Sequence, residues 1–184
     1  KKTIGIENGN FFPTAGAAVP DEICEFVHSV GINMLVGYGL TESTATVSCF
    51  QNSGYEIGSV GTVMPDVEVK IGENNEILLR GKTITKGYYK KAEATAEAID
   101  KEGWFHTGDA GYLNGNCLYL TERIKDLFKT SNGKYISPQA LETKLAIDRY
   151  IDQIAIIADQ RKFVSALIVP MYGFVKDYAK EKGI

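Results

Sequence analysis

The sequence is poor in the residues that usually announce a compartment or a reaction. Its 184 residues include two histidines, three cysteines and one tryptophan. Cys24, Cys49 and Cys117 stand far apart with no C-x-x-C pair. An odd, scattered set argues against a disulfide framework and fits reduced thiols packed as small hydrophobes, so a cytoplasmic protein is expected. No apolar run approaches the length a bilayer needs, and no signal peptide is visible. A transmembrane segment is therefore not expected, which leaves room for peripheral membrane association only. A formal net charge of -3 gives no broad basic field, and nucleic acid is not an expected partner. There is no Ser/His/Asp set, no metal-ligand cluster, no internal repeat and no low-complexity tract. What is present is ordinary globular composition, 44% hydrophobic and 23% charged, in a length that suits one or two domains.

The richest stretch runs from Gly103 to Asp126. It reads Gly-Trp-Phe-His-Thr-Gly-Asp, then a hairpin, then Thr-Glu-Arg-Ile-Lys-Asp. Asp109 follows a Thr107-Gly108 step that reads as a tight turn, where glycine lets the backbone bend and a ligand come close. An exposed carboxylate there is able to accept both hydroxyls of a vicinal diol, as on a ribose. Arg123, after the hairpin, has forked donors suited to the same diol or to a phosphate. Thr-Gly-Asp is equally an ordinary turn, and spacing alone does not separate the two.

Along the chain, Thr14 to Ala18 is a run of small residues, either a tight loop or a floor for a flat ring. Pro20-Asp21-Glu22 opens a helix with apolar positions Ile23, Phe26, Val27 and Val30, closed by Gly31. His28 falls on its polar side. Ile32 to Val36 is a short buried strand running into a Gly37-Tyr38-Gly39-Leu40-Thr41-Glu42 loop. Strand, helix and strand with a ligand loop at a carboxyl end is the usual site of open α/β sheets. Alternation at Val67, Val69 and Ile71 predicts a half-buried strand, with a turn at Gly72–Asn75 and a return over Glu76–Arg80. Lys86–Tyr89 reads as another strand end and Ala92–Ile99 as a short helix. Asn114-Gly115 predicts a hairpin. Beyond Asp126 come a short strand at Leu127–Lys129, a turn at Ser131–Lys134 and a helix from Ser137-Pro138 with Ala140, Leu141 and Leu145 buried. Strands over 154–158 and 163–169 and a last helix from Phe174 complete a compact α+β module.

Three ordered motifs, Gly37–Glu42, Trp104–Asp109 and Arg123–Lys129, resemble signatures of the adenylate-forming superfamily. That superfamily comprises acyl-CoA synthetases, luciferases and the adenylation domains of peptide synthetases. The resemblance covers nearly the whole chain, although Glu122 stands where the family carries glycine. It implies a mixed α/β and α+β architecture. Residues 1–122 would be the C-terminal part of a large N-terminal domain, with a small antiparallel, barrel-like β-subdomain from about 59. Residues 123–126 would be a hinge turning about Lys125, and 127–184 a truncated small C-terminal domain. The absence of a methionine start and the stop straight after a helical pattern fit a fragment.

By the same resemblance, Gly16 and Ala17 pack against adenine, Tyr38 stacks on it beside Gly39, and Asp109 and Arg123 hold the ribose. Thr41 holds the α-phosphate, and Glu42 helps coordinate Mg²⁺, a cation that prefers carboxylate oxygen and substrate phosphates. Gly133 lines the pantetheine path. Apart from the resemblance, the place of His106 beside the Thr-Gly-Asp turn suits a structural residue or one that supports a site residue, not a general base. The implied reaction joins a fatty acid, ATP and coenzyme A. The carboxylate attacks the α-phosphate to give acyl-AMP and pyrophosphate, and the thiol of CoA then displaces AMP. Leu-Phe-Lys-Thr-Ser-Asn-Gly-Lys-Tyr-Ile-Ser-Pro and Phe-Val-Ser-Ala-Leu-Ile-Val-Pro are most similar to long-chain fatty acyl-CoA synthetases. The family's phosphate loop would lie upstream of Lys1 and its catalytic lysine downstream of Ile184, so these residues alone are expected to be inactive. An adenylation domain loading a carrier protein and a non-catalytic nucleotide-binding module are the alternatives.

Overall fold

Phe12–Thr14 (β1) and Met34–Tyr38 (β2) lie parallel, with Thr14 opposite Val36, and Asp21–Ser29 (α1) forms the crossover between them. The structure, a computed structural model, describes residues 9, 11–50, 56–131, 135–159 and 161–184. These fall into two compact units, Lys1–Thr121 and Glu122–Ile184.

In the first unit α1 begins after Pro20 with Asp21 and Glu22 in its first turn, where acids favour the helix dipole. Gly31 ends it at φ +75, a backbone region glycine enters without steric cost. The apolar stripe does not face the core as its spacing predicts. Ile23, Phe26 and Val30 are exposed, Phe26 by 66%, and the helix buries Cys24 instead. Cys24 packs with Leu35, Val36 and Phe50, and burial pushes its thiol pKa up. The cluster is small, so one short side chain of α1 fills its share of it.

Ser48–Cys49 (β3), Thr62–Val63 (β4), Val67–Ile71 (β5), Glu76–Gly81 (β6), Phe105–Asn114 (β7) and Cys117–Arg123 (β8) join β1 and β2 in one mixed sheet. Its order is β1-β2-β3-β4-β8-β7-β6-β5. The registered pairs from β2 onward are antiparallel, so the sheet changes character where β2 meets β3. The core on its inner face contains Val47, Ile77, Leu79 and Leu118, all fully buried, with Tyr38, Val67 and Phe105. β5 alternates as predicted, and its hairpin with β6 carries the Arg80–Glu68 pair and sets the Arg80 guanidinium 4.4 Å from the Trp104 ring. The β7–β8 hairpin closes through Gly115 at φ +58, with Tyr112 and Tyr119 stacked 4.7 Å apart across it.

Residues 86–89 form no strand, contrary to the sequence expectation. The Gly87 and Tyr88 amides bond to side chains instead of a ladder, and the amide of the preceding Thr85 reaches a distant loop. Gly87 N donates to Thr85 Oγ1, Tyr88 N to Thr95 Oγ1 on helix α2 (Ala92–Ala98), and Thr85 N to the Glu42 carbonyl.

In the second unit Phe128–Lys129 (β9) pairs with Tyr135–Ile136 (β10). Pro138–Leu145 (α3) starts at Ser137, whose Oγ accepts from Ala140 N. Ile151–Ile157 (β11) and Ser165–Pro170 (β12) form an antiparallel pair, and Tyr172–Lys182 (α4) ends at Gly183. The Glu142 carboxylate of α3 accepts from Ile156 N and ties that helix to β11. Leu141 and Leu145, predicted to be buried, are exposed; Pro138 is the buried residue of α3. No helix among the described residues is long and apolar enough to cross a membrane.

Candidate active site

Two segments leave the carboxyl ends of the parallel pair β1–β2. The first is the bend at Gly16 and Ala17, both exposed. Gly16 sits at φ +91, and no atom lies within 4 Å of where a Cβ would point, so the bend presents bare backbone to open space. The second is Gly39 to Ala45. Strand β2 runs further than its apolar pattern indicates and includes Tyr38, which is 8% exposed.

Gly39 allows the chain to fold back on itself. A Cβ there would lie 1.6 Å from the Ala45 carbonyl oxygen. Thr41–Ser43 then forms a short 3₁₀ turn. Leu40 N donates to Ser43 Oγ, Ser43 Oγ to Leu40 O, and Ser43 itself is fully buried. Thr44 and Ala45 follow in left-handed conformations, at φ 54 and 79. Thr44 Oγ1 donates to Thr83 O and Thr85 N to Glu42 O, both at 2.7 Å, which fastens the turn to residues 83–85. Thr41 is exposed at its start. Glu42 Oε1 accepts a 2.8 Å hydrogen bond from the Tyr88 hydroxyl, and that bond raises the Tyr88 pKa.

Asp109 comes from the other side of the sheet's order. Thr107-Gly108 is a bulge inside the ten-residue strand β7 and not the tight turn its composition suggests. Glu76 of β6 pairs with Ala110 while Leu78 pairs with His106, so two residues of β6 span four of β7. Gly108 takes φ +75 at the bulge. The displaced amides bond to side chains: Gly108 N donates to Glu76 Oε1 at 2.9 Å and Asp109 N to Thr107 Oγ1 at 3.0 Å. Thr107 Oγ1 donates in turn to Ile77 O. Asp109 is left half-buried, and the Tyr38 hydroxyl donates to its Oδ2 at 2.6 Å. His106 lies between two carboxylates, Nδ1 2.9 Å from Glu76 Oε2 and Nε2 3.8 Å from Asp100 Oδ2. The Trp104 amide, first among several donors and charges, holds the Asp100 carboxyl below its usual pKa.

Residues 9–89 match the family described as AMP-binding enzyme. Long-chain-fatty-acid–CoA ligase 1 of Saccharomyces cerevisiae is 34% identical over 182 residues, covering 92% of this chain and 26% of its own. Long-chain-fatty-acid–CoA ligase ACSBG1 of Mus musculus is 37% identical over 166 residues, covering 86% and 23%. The chain belongs to the AMP-binding enzyme family. It spans about a quarter of the length of these curated relatives. Among solved structures, o-succinylbenzoate CoA synthetase (MenE) of Bacillus subtilis with the acyl-adenylate intermediate OSB-AMP matches at TM-score 0.79 and 25% identity, over 95% of this chain and 40% of that one. The same enzyme with ATP and magnesium ion matches at 0.76 and 26%, over 93% and 39%.

The first unit brings Tyr38 and Asp109 into direct contact and ties Glu42 to Tyr88. Arg123 belongs to the second unit, where its Nε lies 3.7 Å from Asp126 Oδ2 and it lines an open cleft with Phe128, Pro138 and Glu142. The backbone of Lys125 is in the 3₁₀ turn Ile124–Asp126 that follows β8. Gly133 lies outside the described residues. Two side chains that hold site residues were not singled out from the sequence, Tyr88 and Glu76. Glu76 begins the return strand after Asn74-Asn75, and nothing local marks its partner 32 residues on. Tyr88 lies in a Gly-Tyr-Tyr step that reads as a strand end.

Proposed function

We propose that this chain is part of an ATP-dependent acid–thiol ligase that activates a long-chain fatty acid as acyl-AMP and transfers it to coenzyme A. The observation that carries the reading is the Tyr38–Asp109 hydrogen bond. It joins two motifs 71 residues apart at one carboxylate, beside the strand ends from which the Gly16 bend and the Thr41-Glu42 turn both leave. In this reading adenine lies on the bare backbone of Gly16 and Ala17 and against the Tyr38 ring, with Gly39 behind it. Asp109 accepts from the ribose hydroxyls, and Arg123 supplies the second ribose contact. Thr41 donates to the α-phosphate.

Among the described residues no three His, Cys, Asp or Glu side chains are grouped to hold a metal. Glu42 is a single carboxylate with one oxygen on Tyr88. That donor set fits a Mg²⁺ that arrives on the phosphates of ATP and takes one protein carboxylate, and does not fit a resident all-protein cage. Bound there, the ion would neutralise charge on the phosphates as they separate. The chain's own part is positioning: Glu42 is oriented by Tyr88, and the turn that carries it is fixed by Thr83 and Thr85. Phosphoryl transfer depends on such placement and charge neutralisation more than on covalent help.

The long-chain assignment rests on the relatives' names and on the wording of residues 127–138 and 163–170. The domain scheme, with a hinge at 123–126, rests on the change from sheet to α+β module at that place. The test is pyrophosphate exchange by the full-length protein with acids of graded length, followed by acyl transfer to CoA or to a carrier protein. Exchange should peak with long-chain acids, and CoA should accept the product. Nucleotide binding without exchange for any acid would replace the ligase reading with a non-catalytic module. Transfer to a carrier protein alone would replace the acceptor.

A further inference from the structure

The bulge that presents Asp109 interrupts the β6–β7 ladder, and one side chain from β6 takes up the amide released there. Glu76 stands at the start of β6, opposite Ala110, with its side chain 20% exposed. Both oxygens are engaged on β7: Oε1 receives the Gly108 amide at 2.9 Å and Oε2 faces His106 Nδ1 at 2.9 Å. A buried backbone amide needs an acceptor, and a charged acceptor makes a stronger bond than a carbonyl. The Gly108 amide is one peptide unit from Asp109. The left-handed Gly108 backbone is therefore held by Glu76, and Asp109 by the Tyr38 hydroxyl.

We propose that Glu76 is a positioning residue for nucleotide binding, acting through Gly108 on the direction of the Asp109 carboxylate, with His106 holding Glu76 in place. The inference rests on the reading of Asp109 as a ribose contact. It differs from a role in stability alone in one respect. A positioning residue has nothing left to position once Asp109 is gone.

The test is a double-mutant cycle in the full-length protein, with Mg²⁺ and ATP as the probe and binding measured at equilibrium without acid. Glu76→Ala should weaken ATP binding about tenfold, the scale of one hydrogen bond to a charged group. KM for the fatty acid should stay unchanged. In an Asp109→Ala background the same substitution should change ATP binding less than about twofold, because contacting groups in one network are not additive. Glu76→Gln keeps an oxygen for Gly108 and presents its amide to His106, and should recover binding to within about threefold of the parent. Where Glu76→Ala fails to fold, Glu76→Asp carries the cycle: it keeps the charge and loses the reach. If Glu76→Ala and Asp109→Ala losses multiply, or if Glu76 variants bind ATP normally while Asp109→Ala does not, the positioning role is wrong and the ribose reading stands. If Asp109→Ala itself binds ATP normally, the ribose reading fails and this inference fails with it.

Discussion

Gly39→Ala tests the loop that carries Thr41 and Glu42. Gly39 is not at positive φ, so alanine meets no conformational penalty of its own there. The obstacle is steric. The new Cβ would lie 1.6 Å from Ala45 O, 2.5 Å from Ala45 C and 3.0 Å from Thr46 Cα, all backbone atoms without rotamers to escape into. Relief requires the Leu40–Ala45 loop to retreat by about 1.4 Å before the first contact reaches 3.0 Å. That movement breaks or stretches Ala45 N to Leu40 O and the Ser43–Leu40 pair, each contributing about 1 kcal/mol. With the overpacking strain, the first unit should lose about 2–4 kcal/mol. Trp104 is the sole tryptophan of the chain and is buried in that unit, so its fluorescence during urea unfolding reports the loss directly. The midpoint should fall by on the order of 1–2 M. Gly16→Ala is the control: φ is +91, but nothing stands within 4 Å, so the cost is limited to about 1–2 kcal/mol of backbone strain. A Gly39→Ala midpoint equal to the parent's, or a smaller drop than for Gly16→Ala, would refute the steric account.

The remaining predictions concern the site, the hinge and pH. Glu42→Gln keeps the shape and removes the charge a hard cation prefers, so the full-length protein should need more Mg²⁺ for half-maximal acyl-AMP formation; an unchanged titration would remove Glu42 from the metal. Lys125→Pro would fix φ in the Ile124–Asp126 turn and restrict Ile124, and should spare acyl-AMP formation while transfer to CoA collapses; equal loss of both steps would indicate misfolding, and no loss would dismiss the hinge. Asp100 has a folded pKa below its unfolded one, so its contribution to stability is present above the unfolded value and fades as pH falls through the folded value. Asp100→Asn should therefore be less stable than the parent at neutral pH, with the gap closing below about pH 4, and a gap independent of pH would contradict this.

What sequence made legible was local. The Pro20 start and Gly31 end of α1, the alternation of β5, the β7–β8 hairpin and the Ser137 cap of α3 each follow from a few adjacent residues. Choice of face was not legible. The Ile23, Phe26 and Val30 stripe marks a helix, yet which side meets a core depends on Leu35, Val36 and Phe50, set elsewhere. The Thr107-Gly108 step has the composition of a turn but forms a bulge, because glycine at positive φ serves both alike and only the β6 register separates them. No strand forms at 86–89, because Thr85 and Thr95 hydroxyls take the amides a ladder would have used. Among site residues, Tyr38, Asp109 and Glu42 stood out in motifs. Their partners did not, since Tyr38–Asp109 and Glu42–Tyr88 close over 71 and 46 residues with no local trace.

The bulge in β7 also sets a clock. Amides paired in the β6–β7 ladder exchange with solvent hydrogen only when the two strands part, a cooperative opening of the sheet. The Gly108 and Asp109 amides answer to side chains, Glu76 and Thr107, and are released when a single rotamer turns. Two neighbouring residues in the middle of a ten-residue strand should therefore exchange by a fast, local route while residues on either side stay protected. A ligand that draws Asp109 into its own bonds would slow that pair first, which makes their exchange rate a reporter of occupancy built into the sheet.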